Sequence, residues 1–322
     1  MKIAINIHPL RSGHKGRGIG FYTDNLIENL KKDQDLEIQE FTNPFEVKNA
    51  DIVHYPWFDF FFHTLPIYRK LRTIVTVHDV IPLIFPKQHR VGLKGRINFL
   101  LQKIALKKCS NIITDSEISR SDVAKYLKIN REKISVIHLA ANKNFKPTSD
   151  TKLLYAKRKY NLPERFLLYV GDANWVKNLP FLIEGFNKIV KAGNFNDVKL
   201  VLIGEVFLKR VENIDHPDLA SLKRVNELIK NLNLYKNILR PGELSLDELV
   251  SFYNLATVYV QPSLYEGFGL PLIEAFSCGT PVVSSNRGSL TEVGGNAAVY
   301  FDPTNLSQFV SVMMEILQNK SL

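Results

Sequence analysis

Residues 166–204 read FLLYVGDANWVKNLPFLIEGFNKIVKAGNFNDVKLVLIG. Two short apolar runs, FLLYVG and VKLVLIG, flank a longer segment whose apolar residues recur at helical spacing, so the stretch predicts strand, loop, helix, strand. Repetition of that unit around a parallel sheet is what α/β architecture needs. The alternation continues downstream through a helix near 219–232, NILRPG (237–242), LDELVSFYNLA (246–256), TVYVQP (257–262), LPLIEAFSCG (270–279), PVVSS (281–285), SLTEVGG (289–295) and AAVYFDP (297–303), and NLSQFVSVMMEILQNK (305–320) reads as a last helix. Upstream, the strands are KIAINI (2–7), LEIQEF (36–41), DIVHYP (51–56), TIVTVH (73–78), NIITDS (111–116) and ISVIHL (134–139). IGFYTDNLIENLKK (19–32) is expected to bury Phe21, Leu26, Ile27 and Leu30 along one side, and SRSDVAKYL (119–127) to start from a Ser119 cap with Asp122 three residues on.

Between 141 and 165 the pattern fails: ANKNFKPTSDTKLLYAKRKYNLPER is polar and carries Pro147 and Pro163. The expected organisation is therefore two Rossmann-like, doubly wound parallel-sheet domains, 1–147 and 148–322, facing a cleft where ligands meet the carboxyl ends of the strands. The 322 residues, 45% hydrophobic and 23% charged, are globular in composition and long enough for two cores. Cys109 and Cys278 lie far apart in apolar patterns and read as two buried thiols of a reducing compartment. With no secretory signal and no apolar run of membrane-spanning length, the expected location is the cytoplasm, with reversible contact at a membrane surface.

The densest constellation is PSLYEGFGLPLIEAFSCGTPVVSS (262–285). A strand ends at Gln261 and Pro262, the loop Glu266-Gly267-Phe268-Gly269 follows, and a helix opens at Leu270 with Pro271 in its first turn. A helix start of this kind suits an anion, most naturally a diphosphate. Glu266 and Glu274, eight positions apart, are too widely spaced to flank one scissile bond as a retaining glycosidase pair does, and are better placed to hold two ends of one extended ligand.

Glu266 to Glu274 resembles the E-x7-E motif of glycosyltransferase family 4, retaining enzymes of GT-B fold that use nucleotide-sugar donors. The similarity spans most of the chain: the glycine loop Gly16-Arg17-Gly18-Ile19-Gly20, VHDVIP (77–82), VGDANWVKNLPFLIEGF (170–186), the block at 262–285 and GSLTEVGGNAAVYFDP (288–303), closest to mannosyltransferase-like members. The resemblance implies an acceptor-side first domain and a donor-binding second domain. Glu274 would bond the donor ribose, while Glu266 with Gly267, Phe268, Gly269 and Leu270 would hold sugar and phosphate. Lys177, beside Gly171, would neutralise the diphosphate, Gly18 and Gly20 would approach it, and Gly242, Glu243 and Leu244 would lie near the base. His78 would sit beside the transferred sugar with Asp79 orienting it or touching acceptor, so that His78, Asp79 and Glu266 form the catalytic set. Asp172 stands where the family often has Arg, Arg17 replaces a loop glycine, and the family's terminal crossover helix is not matched by a chain ending at Leu322.

The implied function is retaining transfer of a hexose, mannose from GDP-mannose by preference, to a glycan or lipid-linked acceptor. It requires neither cofactor nor metal. A non-catalytic nucleotide-sugar-binding partner subunit, and an epimerase or hydrolase on the same fold, are the alternatives. Asp33-Gln34-Asp35 has the form of a metal-binding D-x-D but reads as a solvated turn. His8, His54 and His138 read as structural. The aromatic run Trp57–His63 is either core or an acceptor- or lipid-facing rim.

Charge is uneven: residues 1–150 hold 24 Lys and Arg against 15 Asp and Glu, the remainder 18 against 17. No acidic residue falls between Asp79 and Asp115, whereas Lys87, Arg90, Lys94, Arg96, Lys103, Lys107 and Lys108 are interleaved with Phe85, Val91, Leu93, Ile97, Phe99, Leu100 and Leu101. Residues 85–108 therefore suit an anionic membrane or acidic acceptor, or form a solvated helix face over core; without any finger, helix-turn-helix or RNP signature, nucleic acid is not an expected partner.

Overall fold

The computed structural model describes residues 1–13, 18–89, 91–211 and 219–318. They form two compact units, Met1–His138 and Leu139–Leu322.

In the first unit, strands β1 (Lys2–Asn6), β2 (Glu37–Phe41), β3 (Ile52–Tyr55), β4 (Thr73–Thr76), β5 (Asn111–Thr114) and β6 (Ile134–Val136) make one sheet in the order β2-β1-β3-β4-β5-β6. Every pairing is parallel. Helices α1 (Gly18–Leu30), α2 (Ile81–Ile84), α3 (Leu93–Lys107) and α4 (Glu117–Leu127) lie in the connections. The order reverses between β1 and β3, so the loops after these strands leave in opposite directions and open a crevice at their carboxyl ends.

In the second unit, α5 (Asp150–Tyr160) precedes β7 (Phe166–Val170), α6 (Leu179–Lys191), β8 (Lys199–Ile203), α7 (Ala220–Asn231), β9 (Ile238–Gly242) and α8 (Leu246–Leu255). Then follow β10 (Val258–Gln261), α9 (Leu270–Ser277), β11 (Val282–Ser285), α10 (Leu290–Gly294), β12 (Val299–Phe301) and α11 (Leu306–Gln318). The sheet runs β12-β11-β10-β7-β8-β9, again parallel throughout, which read from the other edge is the dinucleotide-fold order with its switch point between β7 and β10. Buried Leu167, Tyr169, Leu200, Leu202, Val258 and Val260 meet Leu182, Ile183 and Phe186 of α6 on one face. Phe166, Leu168, Val201 and Tyr259 meet Phe252, Tyr253 and Leu272 on the other.

The α/β reading and all the expected strands hold, and four details differ. The unit boundary lies at 138/139 rather than 147/148, because Phe145 already packs into the second unit's core against Tyr253, ring centroids 5.7 Å apart. The polar stretch at 141–165 contains α5, which docks through Tyr160 on Phe252 (5.1 Å) and through Lys159 and Tyr160 on Glu248. Helix α4 is capped by Ser116, whose Oγ accepts from Ser119 N at 3.0 Å, while Ser119 turns inward to donate to the His78 carbonyl. Finally, α1 buries Gly20, Thr23 and Ile27 and leaves Phe21 57% exposed, since Phe21 lies about 120° around the helix from Ile27.

Among the described residues no helix is long and apolar enough to cross a membrane. Cys109 and Cys278 are both buried and free.

Candidate active site

In the second unit the loops after β7 and β10, the two strands flanking the switch point, are tied together. Leu264 N donates to Val176 O at 2.7 Å, and the Asn178 amide donates to the carbonyls of Pro262 (3.2 Å) and Pro303 (3.0 Å). This brings Lys177 to Glu266: Nζ lies 2.7 Å from Oε1 and 3.0 Å from Oε2. Glu266 is only 8% exposed, and its Oε1 also accepts from Gln261 Nε2 (2.7 Å) and Ser263 Oγ (2.6 Å). Its main chain is fixed as well, because Ser289 donates through N and Oγ to the Glu266 carbonyl. Gly288 makes that close approach possible: at φ +59° it sits where a Cβ would fall 2.5 Å from Glu266 O.

Gly267, Phe268 and Gly269 are buried around this carboxylate, and the Phe268 carbonyl accepts from Ser289 Oγ at 2.8 Å. Gly269 is the N-cap of α9 at φ +102°, a left-handed conformation that glycine adopts without steric cost, and Pro271 fills the first turn after Leu270. Glu274 stands on the next turn, where its Oε2 accepts from Tyr253 OH at 2.8 Å. Burial raises its carboxyl to about 7, against the lowering effect of the Tyr253 hydrogen bond. The two glutamates thus differ in state: Glu266 is an ion-paired carboxylate, whereas Glu274 is poised to hold or release a proton near neutrality.

Gly171 closes β7 by donating to Ile203 O at 3.0 Å, and the Gly242 carbonyl at the end of β9 accepts from Gly204 N at 3.1 Å. Glu243 is exposed beyond it, and Leu244 is half-buried against the core. Asp172 turns its carboxylate onto its own loop, accepting from Ala173 N at 2.7 Å.

In the first unit the charged groups again gather at strand ends. His78, just past β4, places Nδ1 2.6 Å from Asp115 Oδ2 beyond β5 and Nε2 3.1 Å from the Pro56 carbonyl beyond β3. Burial opposes charge on this ring, but the Asp115 carboxylate, with Asp79 and the Pro56 carbonyl adding to it, raises the pKa above its ordinary value. A carbonyl oxygen only accepts, so Nε2 carries a proton, and with Nδ1 donating to Asp115 the group is an imidazolium. Tyr22 of α1 packs its ring edge-on against His78, centroids 4.8 Å apart, and shares Thr76 Oγ1 with His54. Burial, with the His78 charge adding to it, lowers His54 to about 4, so this second histidine stays neutral. Asp79 Oδ1 accepts from Ile81 N at 2.9 Å.

Gly18 and Gly20 form the start of α1; Gly16 and Arg17 of the same loop, and Arg90 of the basic segment, lie outside the described residues. Asp33 and Asp35 form an exposed turn, Asp35 N donating to Asp33 Oδ1. The aromatic run divides: Phe58 and Phe60 are core, Trp57 stacks on His8 and Phe62 is exposed. Among the described residues no group of three His, Cys, Asp or Glu side chains could hold a metal ion. Asp115, Tyr253, Gln261 and Ser263 escaped assignment from sequence. Asp115, Gln261 and Ser263 carried a usable signal, a polar residue at the carboxyl end of a buried strand; Tyr253, on a helix, carried none.

Two doubly wound parallel sheets, each with charged groups at the carboxyl ends of its strands, are those of the GT-B fold. The sucrose-phosphate synthase of Thermosynechococcus elongatus has the same fold, with a TM-score of 0.75 over 99% of this chain and 90% of that one at 19% identity. More particularly, the chain belongs to the family described as Glycosyl transferases group 1, which matches residues 152–322, and residues 18–144 match Glycosyltransferase Family 4. The chain is 31% identical over 257 residues to O-antigen chain mannosyltransferase RfbU of Salmonella typhimurium, covering 80% of this chain and 63% of that protein. It is 28% identical over 269 residues to O-antigen chain mannosyltransferase B of Escherichia coli, covering 82% and 66%. The chain therefore spans less than two thirds of the length of either relative.

Proposed function

We propose that the chain transfers mannose from GDP-mannose, with retention, to a glycan or lipid-linked acceptor, working at an anionic membrane surface reached through residues 85–108. The observation that carries the reading is the Lys177–Glu266 pair at the switch point of a dinucleotide-order sheet. The mannosyltransferase names of the relatives support the choice of sugar.

Lys177 is the cation able to change partner. An incoming diphosphate competes with Glu266 for Nζ, and the carboxylate it leaves still has Gln261 and Ser263 as donors. Glu274 takes the ribose hydroxyls when ionised, keeping Tyr253 as its support. In the transfer, the bond from the anomeric carbon to the diphosphate oxygen breaks as the acceptor oxygen bonds to that carbon on the same face. The acceptor proton passes to the departing phosphate. His78 contributes a fixed positive charge rather than a base, because both ring nitrogens already carry protons in use. This reaction calls for no metal, a point tested by turnover in the presence of a chelator.

The experiment is thermal denaturation with GDP, UDP, ADP or no nucleotide, on this chain and on Glu274→Ala. A nucleotide at about 100 times its Kd adds ~2.7 kcal/mol to the stability of the unit that binds it. The expected result is a shift with GDP, reduced in the variant, followed by donor consumption only when acceptor is present. Donor consumption without acceptor would replace the reading with a hydrolase or epimerase, and GDP binding without any consumption would replace it with a binding subunit.

A further inference from the structure

Helix α3 is inside out at its surface. Gln102 is buried, its amide holding the main chain of Thr64 and Leu65, and Ala105 and Leu106 beside it are also buried. On the far side, Leu93 is 76% exposed, Ile97 51%, Leu100 60% and Ile104 47%. At about 100° per residue these four fall within an arc of roughly 60°, opposite Gln102. The core does not need this stripe, and four adjacent large aliphatic side chains in water are unfavourable unless something covers them.

The rest of the helix says what covers them. Lys94, Arg96 and Lys107 are exposed beside the stripe and Lys103 is half-buried, with no carboxylate anywhere between Asp79 and Asp115. Desolvation together with repulsion from Lys107 and Lys128 lowers the Lys103 pKa, a mark of cations crowded together. A second copy of the same face would bring like charges together, and a neutral apolar partner would leave them unmatched. A cavity of about 760 Å³ lined by Phe61, Leu83, Val91, Phe99, Leu100 and Arg96 lies against the first half of α3, leaving room for hydrocarbon beside the stripe.

We infer that α3 lies in the surface of an anionic phospholipid bilayer, with Leu93, Ile97, Leu100 and Ile104 inserted below the headgroups and the flanking Lys and Arg side chains on lipid phosphates. Apolar burial and electrostatic attraction act together, each too weak alone for stable attachment. This deepens the membrane part of the proposed function but does not depend on the transfer reaction, because its test uses neither donor nor acceptor.

The test is sedimentation of the whole chain with vesicles of phosphatidylcholine alone or with one third phosphatidylglycerol, at low and high salt. Three proteins are compared: the unaltered chain, Ile97→Ser with Leu100→Ser, and Lys103→Glu with Lys107→Glu. Ile97, Leu100 and Lys107 are exposed and Lys103 is half-buried, and circular dichroism with the GDP thermal shift checks that each variant is folded. The expected result is binding to the anionic vesicles only, weakened by salt and reduced at least tenfold in either variant. No binding, equal binding to neutral vesicles, or binding unchanged by the serine pair would overturn the proposal. So would tighter binding to polyglutamate than to vesicles, or a dimer in sedimentation velocity that the serine pair abolishes.

Discussion

The two units set opposite charges at equivalent places, the carboxyl ends of a doubly wound sheet, and treat them differently. Glu266 is met on both oxygens, Oε1 by Lys177, Gln261 and Ser263 and Oε2 by Lys177. Asp115 is met by His78 on Oδ2, while its buried Oδ1 has no hydrogen-bond partner among the described residues. The cations differ in the opposite sense. His78 is held at both nitrogens, whereas Lys177 is a point charge on a flexible stem that can move to another anion. The second unit therefore keeps a satisfied carboxylate beside a transferable cation, and the first keeps a fixed cation on a carboxylate that has no other hydrogen-bond partner among the described residues.

The largest effect expected from this contrast is on stability. Asp115→Ala removes the main charge that sustains the His78 imidazolium, leaving Asp79 as the lesser one, and breaking a buried pair costs about 3–5 kcal/mol. Glu266→Gln keeps a hydrogen-bonding group against Ser263 and lets the partly exposed Lys177 turn to water, a loss of about 1 kcal/mol. The two tryptophans make the comparison direct, since Trp57 belongs to the first unit and Trp175 to the second, and replacing one by Phe leaves the other to report urea unfolding. The pH dependence separates them further. A raised folded-state pKa at His78 gives stability that is fully present below the ordinary value of 6.5 and is lost as pH rises through the folded value, and Asp115→Asn should flatten that fall. Equal losses for Asp115→Ala and Glu266→Gln would break the contrast.

Much of this was legible before any coordinates, and the limits are physical. Parallel strands buried on both faces announce themselves as short apolar runs, so every strand was readable, and the loop-to-helix junction at Gly269 and Pro271 was visible from residue type alone. What a motif cannot show is the partner. Glu266 and Lys177 are 89 positions apart and meet only because β7 and β10 are neighbours in the sheet. His78 needed Asp115 from β5 before its protonation could be argued at all. Helix α5 was hidden because a helix covered on one edge by a few residues, Ala156 the only buried one, has the composition of a linker.

An effect of intermediate size sharpens the comparison within the second unit. Glu274 has a folded-state value of about 7 against an ordinary 4.5, the reverse of a carboxylate stabilised by a cation. Between those values the folded state binds more protons than the unfolded one, so stability falls as pH rises from 4.5 to 7 and the loss is complete above 7. The shift corresponds to about 3 kcal/mol at most. Glu274→Gln, which keeps a group for the Tyr253 hydroxyl, should remove that fall from the Trp175 transition and raise stability at pH 8. A slope that survives the substitution would show that Glu274 is ionised without penalty.

The smallest effect is expected at Phe21, one of two contrasting phenylalanines in helices that follow a sheet's first strand. Phe186 of α6 is fully buried, in a stripe with Leu179, Leu182, Ile183 and Ile189, so this helix is held to its sheet by large side chains. Helix α1 instead leans inward through Gly20, Thr23 and Ile27, which lets its backbone come close and brings the Tyr22 hydroxyl to Thr76. Phe21 takes no part in that packing. Phe186→Ala should therefore cost about 3–5 kcal/mol, whereas Phe21→Ser should stay within about 0.5 kcal/mol of the unaltered protein, as surface substitutions do. The Phe21 result is the more informative of the two. A loss of several kcal/mol there would mean that α1 is seated as α6 is, through large apolar residues, and that the Tyr22, Thr76 and His54 contacts do not set its position.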